Sequence, residues 1–264
     1  MRDVSFALRG ILVAALVLAV TRAAGIADAK SEVPTIAAAS DLQFALPEVG
    51  DAFAAETGRS VEIAFGSSGN FFRQIQAGAP FQMLLSADED FVEKLVSAGL
   101  TKGAGDLYAI GRIAIIVPHG SGLKADGTLE DLAAALREGR VARFAIANPE
   151  HAPYGRGAEE ALRHAGLWGA IQDKLILGEN VSQAAQFATS GGADGGIIAY
   201  SLAISPNVSK LGDYALVPDA WHEPLRQRMV LLNGAGETAE KFYDFVMSEA
   251  GRRILDRYGF VLPG

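Results

Sequence analysis

From residue 35 onward the chain alternates short β-rich runs with helical patterns, and it does so in two successive series; no other feature limits its possible folds as much. Such alternation marks an α/β protein with mostly parallel pairing, each strand being followed by a crossover helix. In the first series, residues 35–39, 61–65 and 83–86 read as strands. A helix over 42–57 keeps Leu42, Leu46, Val49, Phe53 and Thr57 at helical spacing until Gly58 stops it. A second helix runs through Phe72, Ile75 and Gln76 to Gly78-Ala79-Pro80, and a third spans 90–98 before Gly99. Residues 113–117 form a strongly apolar strand ending at Pro118, and the pattern restarts. Helices are expected over 129–137, 157–165 and 181–189, and strands over 144–147, 175–177 and 196–200. No Pro- or Ser-rich linker separates the series, so the sequence predicts two lobes joined by strands that cross between them. Their expected extents are 30–112 with 226–264, and 113–225. A return strand at 229–232 would bring the helical tail, 238–258, back to the first lobe.

The first 29 residues stand apart from this pattern. Arg2 and Arg9 precede an apolar run over 11–20, and Ala27-Asp28-Ala29 supplies the small-x-small signature of a cleavage site. The run is far shorter than the roughly 20 residues that span a bilayer, so it reads as a secretory signal removed after Ala29 rather than as an anchor. No later segment is long and apolar enough to cross a membrane. The chain has no cysteine, which excludes disulfides and lipid attachment through a thiol; an exported protein of this composition suits a bacterial periplasm. The formal charge of −8 argues against nucleic-acid binding, which needs a surplus of Lys and Arg on one face. An anionic ligand would have to be held by local dipoles against the overall field.

The strand-to-helix junctions offer such dipoles. Ala37-Ala38-Ala39-Ser40-Asp41 and Gly66-Ser67-Ser68-Gly69-Asn70 each leave a strand and open a helix. A helix start carries backbone N–H groups with no intrahelical acceptor and the positive end of the dipole, so an anion can sit there without a basic side chain. Ser40 and Ser68 can each add a hydroxyl. Pro153-Tyr154-Gly155-Arg156-Gly157 and Gly178-Glu179-Asn180-Val181 repeat the device in the second series. In open α/β sheets these loops lie at the carboxyl ends of the strands, where ligands bind. The plain alternative for each serine is a helix N-cap.

Taken together, Ala37–Leu42 (AAASDL), Phe65–Gly69 (FGSSG), Arg73–Pro80 (RQIQAGAP), Leu85–Asp88 (LSAD) and Asn148–Gly155 (NPEHAPYG) resemble the periplasmic molybdate-binding proteins of ABC transporters, in order and approximate spacing, over nearly the whole chain after the signal. The resemblance implies a two-lobed periplasmic binding protein of type II, each lobe a mostly parallel sheet flanked by helices, with two crossover strands. It implies a binding protein rather than an enzyme, holding molybdate or tungstate between the lobes and handing it to a permease in the inner membrane. No cofactor is implied, molybdenum entering only as the centre of an oxyanion held by hydrogen bonds, and the protein is expected to be a monomer. Position by position, the family's contacts fall on Ser40 and Ser68 from the first lobe and on Tyr154 and Val181 from the second, Val181 through its N–H. Some members have a tyrosine shortly after a Gly-Ile-Val run; here Gly196-Ile197-Ile198-Ala199 puts Tyr200 one residue later, where strand alternation would turn it to the opposite face. Tyr154, where other members have a small residue, can supply that hydroxyl instead. Asp41 would repel a dianion, so its side chain is expected to turn away to a cap or to solvent. Gln82 stands where the family often has an acid and reads as structural.

Neutral donors suit this task, because a dianion leaving water must find an aligned donor for every hydration bond it loses. A lining made of donors alone accepts a fully deprotonated tetrahedral ion, whereas a protonated one needs an acceptor; sulfate can be rejected only by size. Two rival readings remain at this level. A receptor for sulfate or phosphate would use the same fold, with Asp41 as the acceptor for a protonated ion. A serine hydrolase would use Ser67 or Ser68 with His151 as base, although the G-x-S-x-G elbow is lacking. The other histidines, His119, His164 and His222, form no metal-type pair with it.

Overall fold

The computed structural model describes residues 33–264; the expected export signal lies outside them. The ten strands described are β1 (Thr35–Ala39), β2 (Glu62–Gly66), β3 (Met83–Ser86), β4 (Asp106–Gly111), β5 (Ile113–Pro118), β6 (Phe144–Ala147), β7 (Leu175–Gly178), β8 (Gly195–Ala199), β9 (Gly212–Leu216) and β10 (Leu225–Leu231). The helices are α1 (Ala45–Thr57), α2 (Ser68–Gln76), α3 (Asp90–Ser97), α4 (Glu130–Arg137), α5 (Pro153–His164), α6 (Trp168–Ile171), α7 (Val181–Thr189), α8 (Tyr200–Ala203), α9 (Pro206–Ser209), α10 (Glu237–Met247) and α11 (Glu249–Arg257).

The strands form two five-stranded sheets, β2-β1-β3-β10-β4 and β7-β6-β8-β5-β9, one in each lobe. Each sheet is mixed rather than mostly parallel. β1 pairs in parallel with β2 and β3, and β6 with β7 and β8. The remaining pairs are antiparallel, because β10 and β5 are the strands on which the chain arrives from the other lobe. The chain crosses between sheets twice, at Arg112 between β4 and β5 and through residues 217–224 between β9 and β10. β10 returns to the first sheet between β3 and the edge strand β4.

Strands buried on both faces read as continuous apolar runs. β1, Thr-Ile-Ala-Ala-Ala, is buried from Ile36 on, and β5 is buried from Ile113 through Val117. One face of the first sheet is covered by α1, α10 and α11, where Phe53 meets Phe242 and Phe245 edge-on at centroid distances of 5.3 and 5.6 Å. The other face packs on α2 and α3 through Phe71, Ile75, Val92 and Leu95. The tail expected as one helix is two, broken at Ser248, whose Oγ accepts from the Gly251 N–H and so caps α11. The second sheet has its own core, centred on Ile115, Phe144, Ile146 and Ile197. Gln82 is structural as expected, its Oε1 accepting from the Gly236 N–H. Among the described residues no helix is long and apolar enough to cross a membrane.

Candidate functional site

Four junctions from the two lobes meet around one small cavity of about 10 Å³, lined by residues 39–41, 66–68, 87, 152–154 and 181. Three alanines before Ser40 keep the end of β1 slim, and β1 runs out at Ala39 into a single 3-10 turn, Ser40–Leu42, that is fully buried. Ser68 opens α2 after Ser67, whose Oγ caps that helix by accepting from the Asn70 N–H. Pro153 occupies the first turn of α5, where its missing N–H costs nothing, and Val181 opens α7 after Asn180.

The hydrogen bonds leave specific donors unspent. Ser68 Oγ accepts from the Ala87 N–H at 2.9 Å, and Ser40 Oγ accepts from the Ser182 N–H at 3.2 Å. A hydroxyl has one proton to give, so each serine, anchored as an acceptor, keeps its O–H available. Asn180 Oδ1 takes the N–H groups of Ser182 and Gln183 but not that of Val181, which as the first residue of α7 has no acceptor within the helix. In α2, His151 O takes the Gly69 N–H and Ser67 Oγ takes that of Asn70, leaving Ser68 in the same position.

Of the five residues singled out from the sequence, Ser40, Ser68, Tyr154 and Val181 line this cavity. Tyr200 does not. β8 stops at Ala199 and Tyr200 begins α8, so its ring packs on Tyr214 at 6.2 Å and beside Gly259. The neighbouring Ser201 reaches the site indirectly, donating to the backbone oxygen of Asp41 at 2.8 Å. The Tyr154 hydroxyl is not free, since it donates to Asp41 Oδ2 at 3.0 Å and accepts from Gln227 Nε2 at 3.0 Å.

The expectation for Asp41 is corrected. Its side chain turns neither to a cap nor to solvent but is 1 % exposed. Its Oδ2 accepts from Tyr154 and, at 2.6 Å, from Gln227 Nε2. Gln227 in turn accepts from the buried Tyr108 hydroxyl at 2.6 Å. Burial drives the Asp41 carboxyl up to about 6, against the pull of Gln227, Tyr154 and the nearby amides of Asp41 and Leu42. Burial, with the Asp41 charge added, also holds both tyrosines well above the usual phenol range. Asp41 Oδ1 has no hydrogen-bond partner of good geometry. Gln227 and Tyr108 carried no sequence signal, lying 186 and 67 positions from Asp41 on strands that only the fold brings beside it.

Further contacts close the lobes on each other. Gly69 N–H donates to His151 O, Ser67 Oγ lies 3.0 Å from His151 Nδ1, and Arg156 bonds Asp88 at 2.6 Å. Burial raises the Asp88 carboxyl despite this arginine. The acidic run 88–90 is therefore mostly engaged inward, Asp88 also accepting from the Phe91 N–H and Glu89 pairing with Arg226 and Arg228. Ser67, His151 and Glu179 stand in the order of a hydrolytic triad, with Glu179 Oε2 3.5 Å from His151 Nε2. The serine serves as a helix cap, and the Glu179 side chain is 68 % exposed where a triad acid is buried.

Comparison with known proteins gives the family and the fold. The family model described as bacterial extracellular solute-binding protein matches residues 34–261. The molybdate-binding protein ModA of Rhodobacter capsulatus is 36 % identical over 217 residues, covering 81 % of this chain and 82 % of that protein. ModA of Azotobacter vinelandii is 31 % identical over 230 residues, covering 86 % and 89 %. The solved structure of the periplasmic molybdate-binding protein of Azotobacter vinelandii superposes with a TM-score of 0.78 at 29 % identity, over 88 % of this chain and all of that one.

Proposed function

Because the chain belongs to the family of bacterial extracellular solute-binding proteins, we propose that it captures molybdate, and tungstate with it, between its lobes and delivers it to an ABC permease. In this reading it is a binding protein and not an enzyme. The observation that carries it is the cavity itself: helix starts from both lobes face one small volume whose lining includes serine hydroxyls and amides but no lysine or arginine. Ser40 and Ser68 give their O–H, and Ser68 and Val181 their N–H, to the oxygens of the ion; no protein atom ligates molybdenum. Tyr154 lines the cavity and orients Asp41. Tyr200 has no part in the contact. Closure replaces water with fixed dipoles that need no reorganisation, and release breaks no ion pair. The signal is taken to end at Ala29 and the lobes to comprise 30–112 with 226–264, and 113–225. The protein is taken to work as a periplasmic monomer beside an inner-membrane permease.

A second reading is favoured by one feature, the unpartnered Asp41 Oδ1, which could accept a proton from hydrogen phosphate. Calorimetric titration with molybdate, tungstate, sulfate and phosphate separates the two. Molybdate and tungstate are expected to bind tightly and the others weakly; tight phosphate binding with none for molybdate would reverse the assignment. Ser40→Ala and Ser68→Ala should each weaken molybdate binding by roughly 1 to 3 kcal/mol, the usual loss when a charged acceptor loses one donor. Unchanged affinity in both would remove these serines from the site.

A further inference from the structure

The lining of the cavity holds one ionisable acid and no base, an arrangement that is unfavourable for holding a dianion while the acid is charged. Asp41 is fully buried beside the cavity, and no arginine, lysine or histidine makes a hydrogen bond or ion pair with it among the described residues. Its two side-chain partners, Tyr154 and Gln227, are neutral donors that both point at Oδ2; the neutral amides of Asp41 and Leu42 lie nearby, but Oδ1 has no hydrogen bond of good geometry. Elements packed on the Ser40–Leu42 turn add no countercharge. α7 contains no titratable residue, α8 presents Ser201, and Tyr200 at its start turns to Tyr214. In β2 the acid Glu62 lies opposite Thr35, at the far end of β1. Around them, Arg156 of α5 is committed to Asp88, Arg226 and Arg228 of β10 to Glu89, and His151 to Ser67 and Glu179. Tyr108 of β4 reaches Asp41 only through Gln227.

We propose that Asp41 is protonated whenever the cavity holds its oxyanion, so that capture takes up one proton from solvent and the carboxyl joins the site as a neutral hydrogen-bonding acid. The step is a proton transfer only: carboxylate, solvent proton and dianion go to carboxylic acid and bound dianion. The inference rests on the oxyanion reading of the cleft and adds to it a charge rule. The loaded site then carries the charge of the ion alone, and Oδ1–H gains the capacity to donate, which the carboxylate lacks. In the empty protein burial has already moved the carboxyl towards neutrality, which lessens the cost of the uptake.

The sign follows from linkage. Below about pH 6 the empty protein already holds the proton, so affinity is level and uptake small; above it, affinity falls by up to about tenfold per pH unit as uptake approaches one proton. Molybdate titrations in buffers of different ionisation enthalpy, between roughly pH 6 and 8.5, read the uptake directly. Asp41→Asn, neutral at every pH, is expected to abolish both slope and uptake and to bind more tightly than the native chain at the alkaline end. Should that variant fail to fold, the infrared carbonyl band of a protonated carboxylic acid, appearing in the native protein on loading at alkaline pH, gives the same answer. Molybdate binding with no proton uptake and a flat pH profile would overturn the inference while leaving the oxyanion reading intact, as would an unchanged slope in Asp41→Asn. No molybdate binding at any pH would overturn both.

Discussion

At the scale of single residues, Asp41 makes stability itself pH-dependent. Its carboxyl ionises near about 6 in the folded chain against an ordinary value of 3.8, so unfolding favours the charged form. The stability it permits is fully present below about pH 4 and lost as pH rises through about 6, on the order of 3 kcal/mol for a shift of this size. The ligand-free native chain should therefore lose stability relative to Asp41→Asn between about pH 4 and pH 6.5, as read from urea unfolding, with the gap level above that. A gap between the two that stays constant with pH would contradict this. The residue also marks where sequence reasoning stopped. A carboxyl beside a dianion looks like a group that must turn away, and only the fold shows Tyr154 and Gln227 holding it in place.

At the scale of elements, the close approach of lobes depends on Gly69. A Cβ built there would lie 2.7 Å from His151 O, and 2.9 Å from both His151 Cβ and Phe91 Cζ, closer than packed atoms allow. Gly69→Ala should therefore hold the lobes apart and weaken molybdate binding at least about fivefold, in line with overpacking costs of about 1–3 kcal/mol. The lobes themselves should melt within a few degrees of the native chain, and small-angle scattering should show a larger particle in the presence of ligand. Full affinity in this variant would mean that the backbone bond from Gly69 to His151 is dispensable. Much at this scale was legible beforehand. β1, β3, β6 and α7 fall at their expected bounds because their apolar runs end at sharp breakers or caps. β4 and β9 were missed, and physical reasons are plain: β9 is an edge strand whose residues 213–216 stay largely accessible, and β4 mixes buried and exposed positions. The early start of α5 was signalled by Pro153 at its first position, a cue outweighed by the glycines that follow. Tyr200 was read as strand because the apolar run before it gives no sign that β8 ends at Ala199.

At the scale of the whole molecule, the chain carries a formal −8 yet is proposed to bind a dianion, so long-range attraction cannot bring the ion in. The three arginines near the cleft are paired with Asp88 and Glu89, which leaves a local excess of one positive charge against the chain's −8. Raising ionic strength from about 10 mM to about 150 mM shortens the screening length from roughly 30 to 8 Å and should leave the association rate unchanged or raise it. Stopped-flow fluorescence measures this; a rate that falls steeply with salt would reveal an attractive cationic entrance.

The place of β10 in the first sheet governs the order in which the molecule can be made. It sits between β3 and β4 but comes from residues 225–231 of a 264-residue chain. A growing chain that has emerged only as far as β9 has an unfilled gap in that sheet, and it also lacks the two helices that cover Phe53. The amino-terminal half thus cannot reach its final form during synthesis until nearly the last segment is available. Under the export proposed above, in which the chain passes end-first through a narrow channel, such a delay is an advantage, because the chain remains extensible for as long as it is being built.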